Sequence, residues 1–178
     1  MEKAVIYIHG KGGSAEEATY YAQFFRNCDV IGLEYAAQFP WEAKEEFFSI
    51  HALSNQQIEK AYFISPVVDM EKLIVDMMEW ADVTENELQE KKKIQTDFGE
   101  TLSWDYLCYV RENPVAWTIP THILYGEKDH LTSRETISKF AKQTNAVLTV
   151  MKNGEHWFHT EEQMKFLSDW MRSDGYVF

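Results

Sequence analysis

The chain has 178 residues, enough for one domain with a full core and no need of disulfide or metal staples. Hydrophobic residues make up 45% and aromatics 15%, which excludes a disordered chain. A net charge of −12 repels phosphate backbones and anionic lipid, so nucleic acid and membrane surfaces are not expected partners.

Cys28 and Cys108 match no metal or redox spacing and read as reduced thiols of a cytosolic protein. The N-terminal apolar run in MEKAVIYIHG is too short for a signal peptide, and no segment approaches membrane-spanning length. The expected location is the cytoplasm.

Five short runs are rich in β-branched and aromatic residues: Ala4 to Gly10, Asp29 to Tyr35, Lys60 to Pro66, His122 to Lys128 and Ala146 to Lys152. Their near-continuous apolarity suits parallel strands buried on both faces. Helical stretches lie between them. Ser14-x-x-Glu17, Thr84-x-x-Glu87, Thr132-x-x-Glu135 and Thr160-x-x-Gln163 each have the form of a capping box. Strand alternating with helix predicts an α/β fold with right-handed crossovers.

Residues 69–117 break the rhythm, with no strand signal and two amphipathic helices. Leu73, Ile74, Met77, Met78 and Ala81 form one apolar stripe, and Tyr106, Leu107 and Val110 form a second. Such an insertion either covers the strand C-termini as a lid or packs as extra core helices. No repeat or linker marks a boundary, so the expectation is a single domain, 1–178, with this insertion inside it.

His9-Gly10-Lys11-Gly12-Gly13-Ser14 joins the end of a strand to the start of a helix. Glycines there let the backbone aim N–H groups at an anion, helped by the helix dipole. An acyl-transfer enzyme uses such amides as an oxyanion hole. A dinucleotide enzyme uses them for pyrophosphate, and Gly10-x-Gly12-x-x-Ala15 with Glu34 loosely meets that pattern. A plain tight turn satisfies the same residues.

Asp129 ends the strand and turn LYGEKD, and His156 lies in NGEHWFH after the last strand. Singly, each is an ordinary loop residue. Both follow strands at the sheet edge that carries the glycine loop, where a buried Asp can orient a His through Nδ1–H. His156-x-x-His159 beside Glu155 and Glu161 has no clear further ligand, so no metal site is expected.

HGKGGS, PTHILYGEKDHLTS and NGEHWFHTEEQMKFLSDW resemble, in this order, the oxyanion, acid and histidine loops of the α/β-hydrolase superfamily. The likeness is nearest to its small bacterial serine hydrolases and spans nearly the whole chain. It implies Asp129 as triad acid, His156 as base, and His159 as a histidine that often follows the catalytic one. It also implies oxyanion-binding amides near Lys11 and Gly12, an ester or other small-molecule substrate, and no cofactor.

The sequence departs from the family at the nucleophile. No serine or cysteine stands in Gly-x-Ser-x-Gly on a strand-to-helix turn. Ser49 and Ser65 are the remaining candidates, neither flanked by glycine. The interval from Ala36 to Lys60 is too short for the helix, strand, elbow and second helix of the family, on the order of 40 residues. WEAKEEFFSI reads as the first of those helices and HALSNQQ as the tail of the second. Without that unit the strands beginning at Ala4 and Lys60 become neighbours, giving a truncated, doubly wound sheet of five mostly parallel strands in order 2-1-3-4-5. A segment from a partner filling the gap would instead make a swapped homodimer.

An Asp–His pair lacking a nucleophile acts at best as a general base on water, roughly 10³–10⁴ over the uncatalysed rate. The expectation is therefore little serine-hydrolase turnover and no labelling by a fluorophosphonate. Two other readings stay open: a non-catalytic small-molecule-binding relative of the hydrolases, and a nucleotide- or flavin-binding doubly wound domain.

Overall fold

The computed structural model of the chain describes residues 3–34, 57–114 and 116–173. The first elements are β1 Lys3–Ile8, a 3-10 turn Ala15–Glu17, α1 Ala18–Ala22 and β2 Cys28–Leu33. Next come β3 Ala61–Ile64, α2 Met70–Trp80, α3 Glu85–Lys91, β4 Lys93–Gln95, β5 Thr101–Ser103 and α4 Trp104–Glu112. The last are β6 Thr121–Gly126, α5 Arg134–Thr144, β7 Val147–Met151 and α6 Glu161–Ser173. Each of the five apolar runs has become a strand. The helices expected in WEAKEEFFSI and HALSNQQ, and Ser49 with them, lie outside the described residues.

Two compact units result, one from Met1–Glu42 with Phe158–Phe178, the other from Ala43–Trp157. In the first, β1 and β2 pair in parallel, with Val5 opposite Val30 and Ile6 opposite Ile31. One face of this ribbon is covered: Tyr7 stacks on Tyr21 of α1 with ring centres 4.9 Å apart. Burial pushes the Tyr21 hydroxyl up to about 12. Ile6, Ile31 and Leu33 on the strands remain exposed, at 50%, 50% and 41%. Helix α6 starts at a full capping box, with Gln163 N–H on Thr160 Oγ1 at 3.2 Å and Thr160 N–H on Gln163 Oε1 at 3.4 Å. It buries Leu167, Trp170 and Met171.

In the second unit β3, β6 and β7 form a parallel sheet in that order. The middle strand β6 is the most buried, with Ile123, Leu124 and Tyr125 at 1% exposure or less. Ile137, Phe140 and Ala141 of α5 join Val68, Trp117, Ile119, Ile123 and Tyr125 in one apolar cluster. Trp117 fixes the entry to β6 by donating its indole N–H to Thr121 Oγ1 at 2.6 Å. Helix α5 begins one residue later than expected: Ser133 Oγ, not Thr132, accepts the first-turn N–H, from Thr136 at 3.1 Å.

Two expectations need correction. The described strands do not form one sheet of order 2-1-3-4-5, because β1 pairs with β2 in one sheet and β3 pairs with β6 in another. The insertion is also not purely helical. Strands β4 and β5 form an antiparallel hairpin with Ile94 opposite Leu102. Thr96 closes its turn by donating N–H and Oγ1–H to Glu100 O at 2.8 and 2.7 Å. Leu88, Leu102 and Leu107 of the insertion are fully buried, and Arg111 of α4 ties Glu71 of α2 to Glu85 of α3.

Candidate acid–base site

Asp129 follows β6 in a turn closed by its own N–H on Gly126 O at 3.0 Å. Its carboxylate caps the backbone that follows. Oδ1 accepts the N–H groups of Leu131 and Thr132 at 2.8 and 3.1 Å, and Oδ2 meets His156 Nδ1 at 2.7 Å. The Asp129 side chain is fully buried and that of His156 is 27% exposed. A carboxylate has no proton to give, so Nδ1 carries the hydrogen and Nε2 keeps its lone pair for a reacting proton. The pair expected from sequence is thus brought together within one hydrogen bond.

The loops bearing acid and base are clasped along their length. Glu127 N–H donates to Met151 O at 3.0 Å and Lys128 N–H to Gly154 O at 2.7 Å. The Glu127 carboxylate in turn accepts Asn153 N–H at 3.0 Å. Gly126 is what lets the loops meet: a Cβ there would lie 2.3 Å from Glu155 O and 2.6 Å from Gly154 O. Close approach of backbone, not a turn conformation, requires this glycine.

His130 was not singled out from sequence. It is exposed, and its ring meets that of His156 edge-on with centroids 6.3 Å apart. Its only signal was adjacency to Asp129.

Ser65 terminates β3 on the same sheet. Its N–H donates to Leu124 O at 2.8 Å. It is 6% exposed, its Oγ is buried without a hydrogen-bond partner among the described residues, and its φ is +46°. Thr132 ties this segment to the acid, giving its hydroxyl proton to Pro66 O at 3.2 Å and its N–H to Asp129.

The glycine loop belongs to the other compact unit. Gly13 N–H closes a turn on Gly10 O at 3.1 Å, and Gly12 at φ +77° adopts the left-handed backbone this turn needs. His9 is buried and its Nδ1–H donates to Gly10 O at 2.9 Å. Two carboxylates have taken the next amides: Glu17 Oε1 accepts Ser14 N–H and Glu34 Oε2 accepts Ala15 N–H, each at 3.2 Å. Pyrophosphate would have to displace both and then face their charge. The helix behind the loop is one 3-10 turn and five α-helical residues, too little for a strong dipole. These features disfavour the nucleotide reading.

The sequence matches no protein-family model and no curated protein. Solved structures do resemble the fold. Est1E from Butyrivibrio proteoclasticus, solved with ferulic acid bound, superposes at TM-score 0.67 and 16% identity, covering 97% of this chain and 88% of that one. Alpha/beta hydrolase domain-containing protein 10 from mouse gives 0.68 and 11%, covering 96% and 88%. A proline iminopeptidase-related protein from Thermus thermophilus gives 0.56 and 16%, covering 99% and 90%. The chain has an α/β-hydrolase-like fold.

Proposed function

We propose that this chain is a hydrolase acting on small esters or related acyl compounds, with Asp129 and His156 as its proton-handling pair. The observation that carries the reading is the 2.7 Å contact between a fully buried carboxylate and a partly exposed imidazole. Asp129 fixes the ring and stabilises the imidazolium that forms when Nε2 takes a proton. The net charge of −12 favours neutral substrates over polyanions.

The test is turnover of short-chain p-nitrophenyl esters by the full chain, compared with Asp129→Asn and His156→Asn. Both variants should lose at least ~10²-fold in kcat/KM, the usual worth of general acid–base catalysis. Wild-type turnover no greater than that of His156→Asn would refute catalysis by the pair. A rise in Tm with non-hydrolysed ester or acid, without turnover, would assign the fold a binding role instead.

A further inference from the structure

We propose that Ser65 is the nucleophile of this chain, a role taken at the end of a sheet strand instead of on the Gly-x-Ser-x-Gly elbow it lacks. The proposal rests on the hydrolase reading above and names the atom that reading leaves out. Two unfavourable features coincide on this residue. Its φ of +46° is a left-handed backbone that a non-glycine residue adopts at a cost, and its buried hydroxyl has no partner among the described residues. Glycine would remove the first cost and alanine the second, so neither backbone nor packing calls for serine here. Strain and an unsatisfied polar group on one side chain are the marks of a functional constraint.

Position supports the role. Ser65 follows β3, Asp129 follows β6, and His156 follows β7, the three adjacent strands of one parallel sheet. Asp129 draws the imidazole from the end of β7 toward the end of β6. The base is thereby held to the loop that leaves β6, the strand adjacent to the one that ends in Ser65. Thr132 links the two sides, holding Pro66 O with its hydroxyl and Asp129 Oδ1 with its N–H. Pro66 disfavours the right-handed α conformation at Ser65.

In the first step Ser65 Oγ attacks the ester carbonyl while His156 Nε2 takes its proton. Collapse of the tetrahedral adduct breaks the bond to the alcohol, which leaves with that proton, and the acyl group stays on Oγ. Water then attacks the acyl-serine, giving a proton to Nε2. The carboxylic acid departs as Oγ recovers the proton.

The test treats the full chain with a fluorophosphonate, locates the adduct by peptide mass mapping, and follows p-nitrophenyl acetate turnover in parallel. Against the absence of labelling expected from the sequence alone, one adduct per chain is expected on Ser65, absent in Ser65→Ala and Ser65→Gly and slowed at least ~10²-fold in His156→Asn. Ser65→Gly removes the strained φ, so a Tm at or above wild type shows that lost activity is not lost folding. An adduct on Ser49 or elsewhere overturns the proposal. So does turnover that depends on His156 but is unchanged in Ser65→Ala, which leaves the acid–base reading standing. A wild-type chain with neither adduct nor turnover overturns both.

Discussion

Gly126→Ala probes the clasp between the acid and base loops without touching a titrating group. A Cβ at this position meets Glu155 O at 2.3 Å, Gly154 O at 2.6 Å and the Gly154 carbonyl carbon at 2.7 Å. All three are backbone atoms, so no rotamer change relieves the clash. Restoring ordinary contact requires the His-bearing loop to retreat by about 1 Å. That movement stretches the 2.7 Å bond from Lys128 N–H to Gly154 O, worth ~1 kcal/mol, on top of overpacking at ~1–3 kcal/mol. The smaller entropy of the unfolded alanine chain returns ~0.4–1 kcal/mol. A net loss of about 1–3 kcal/mol follows, together with a misplaced Asp129–His156 pair. A 1 Å error in such geometry costs on the order of 10²-fold in rate. Urea unfolding gives the first quantity and kcat/KM on a p-nitrophenyl ester the second. Gly10→Ala is the control, because a Cβ there meets nothing within 4 Å, and it should stay within ~0.5 kcal/mol of wild type. Gly126→Ala with wild-type stability would show that the loops are not packed as described.

Asp129→Ala leaves the Leu131 and Thr132 N–H groups without their acceptor, and chemical denaturation should record a loss of about 2–4 kcal/mol. Ser65→Gly should raise stability by about 1 kcal/mol by removing left-handed strain, and a loss above that size would show the serine to be structural. Arg111's hydrogen bonds hold the Glu85 carboxyl below its ordinary 4.5, a stabilisation in place at neutral pH and lost as pH falls through the lowered folded value. The Tm gap between wild type and Arg111→Met should therefore be small at neutral pH, as for exposed pairs, and narrower still in acid. A gap that widens in acid would contradict the sign.

The strands were legible because parallel sheets demand continuous apolar runs, and each run such as HILYG met that demand. The acid–base pair was legible for a related reason. Asp129 and His156 both come directly after such runs, and a parallel sheet gathers the loops leaving its strands at one C-terminal edge. The shift of the α5 cap was not readable, because Thr132 is held by Asp129 in a local turn and by Pro66 through a contact distant in sequence. The β4–β5 hairpin was missed since three-residue strands give too short a period to recognise. Pro66 restricts Ser65 but does not choose the left-handed basin, so its φ had to come from the fold.

The bare apolar strip of Ile6, Ile31 and Leu33 bears on how concentrated solutions of this protein behave. Neighbouring molecules carrying −12 each are kept apart by a repulsion that reaches only ~8 Å at physiological ionic strength. Acidification neutralises that charge and added salt shortens its range, while the contact adhesion of three aliphatic side chains per strip survives both. Colloidal stability therefore rests on the carboxylates, and precipitation begins where acid or salt removes their protection.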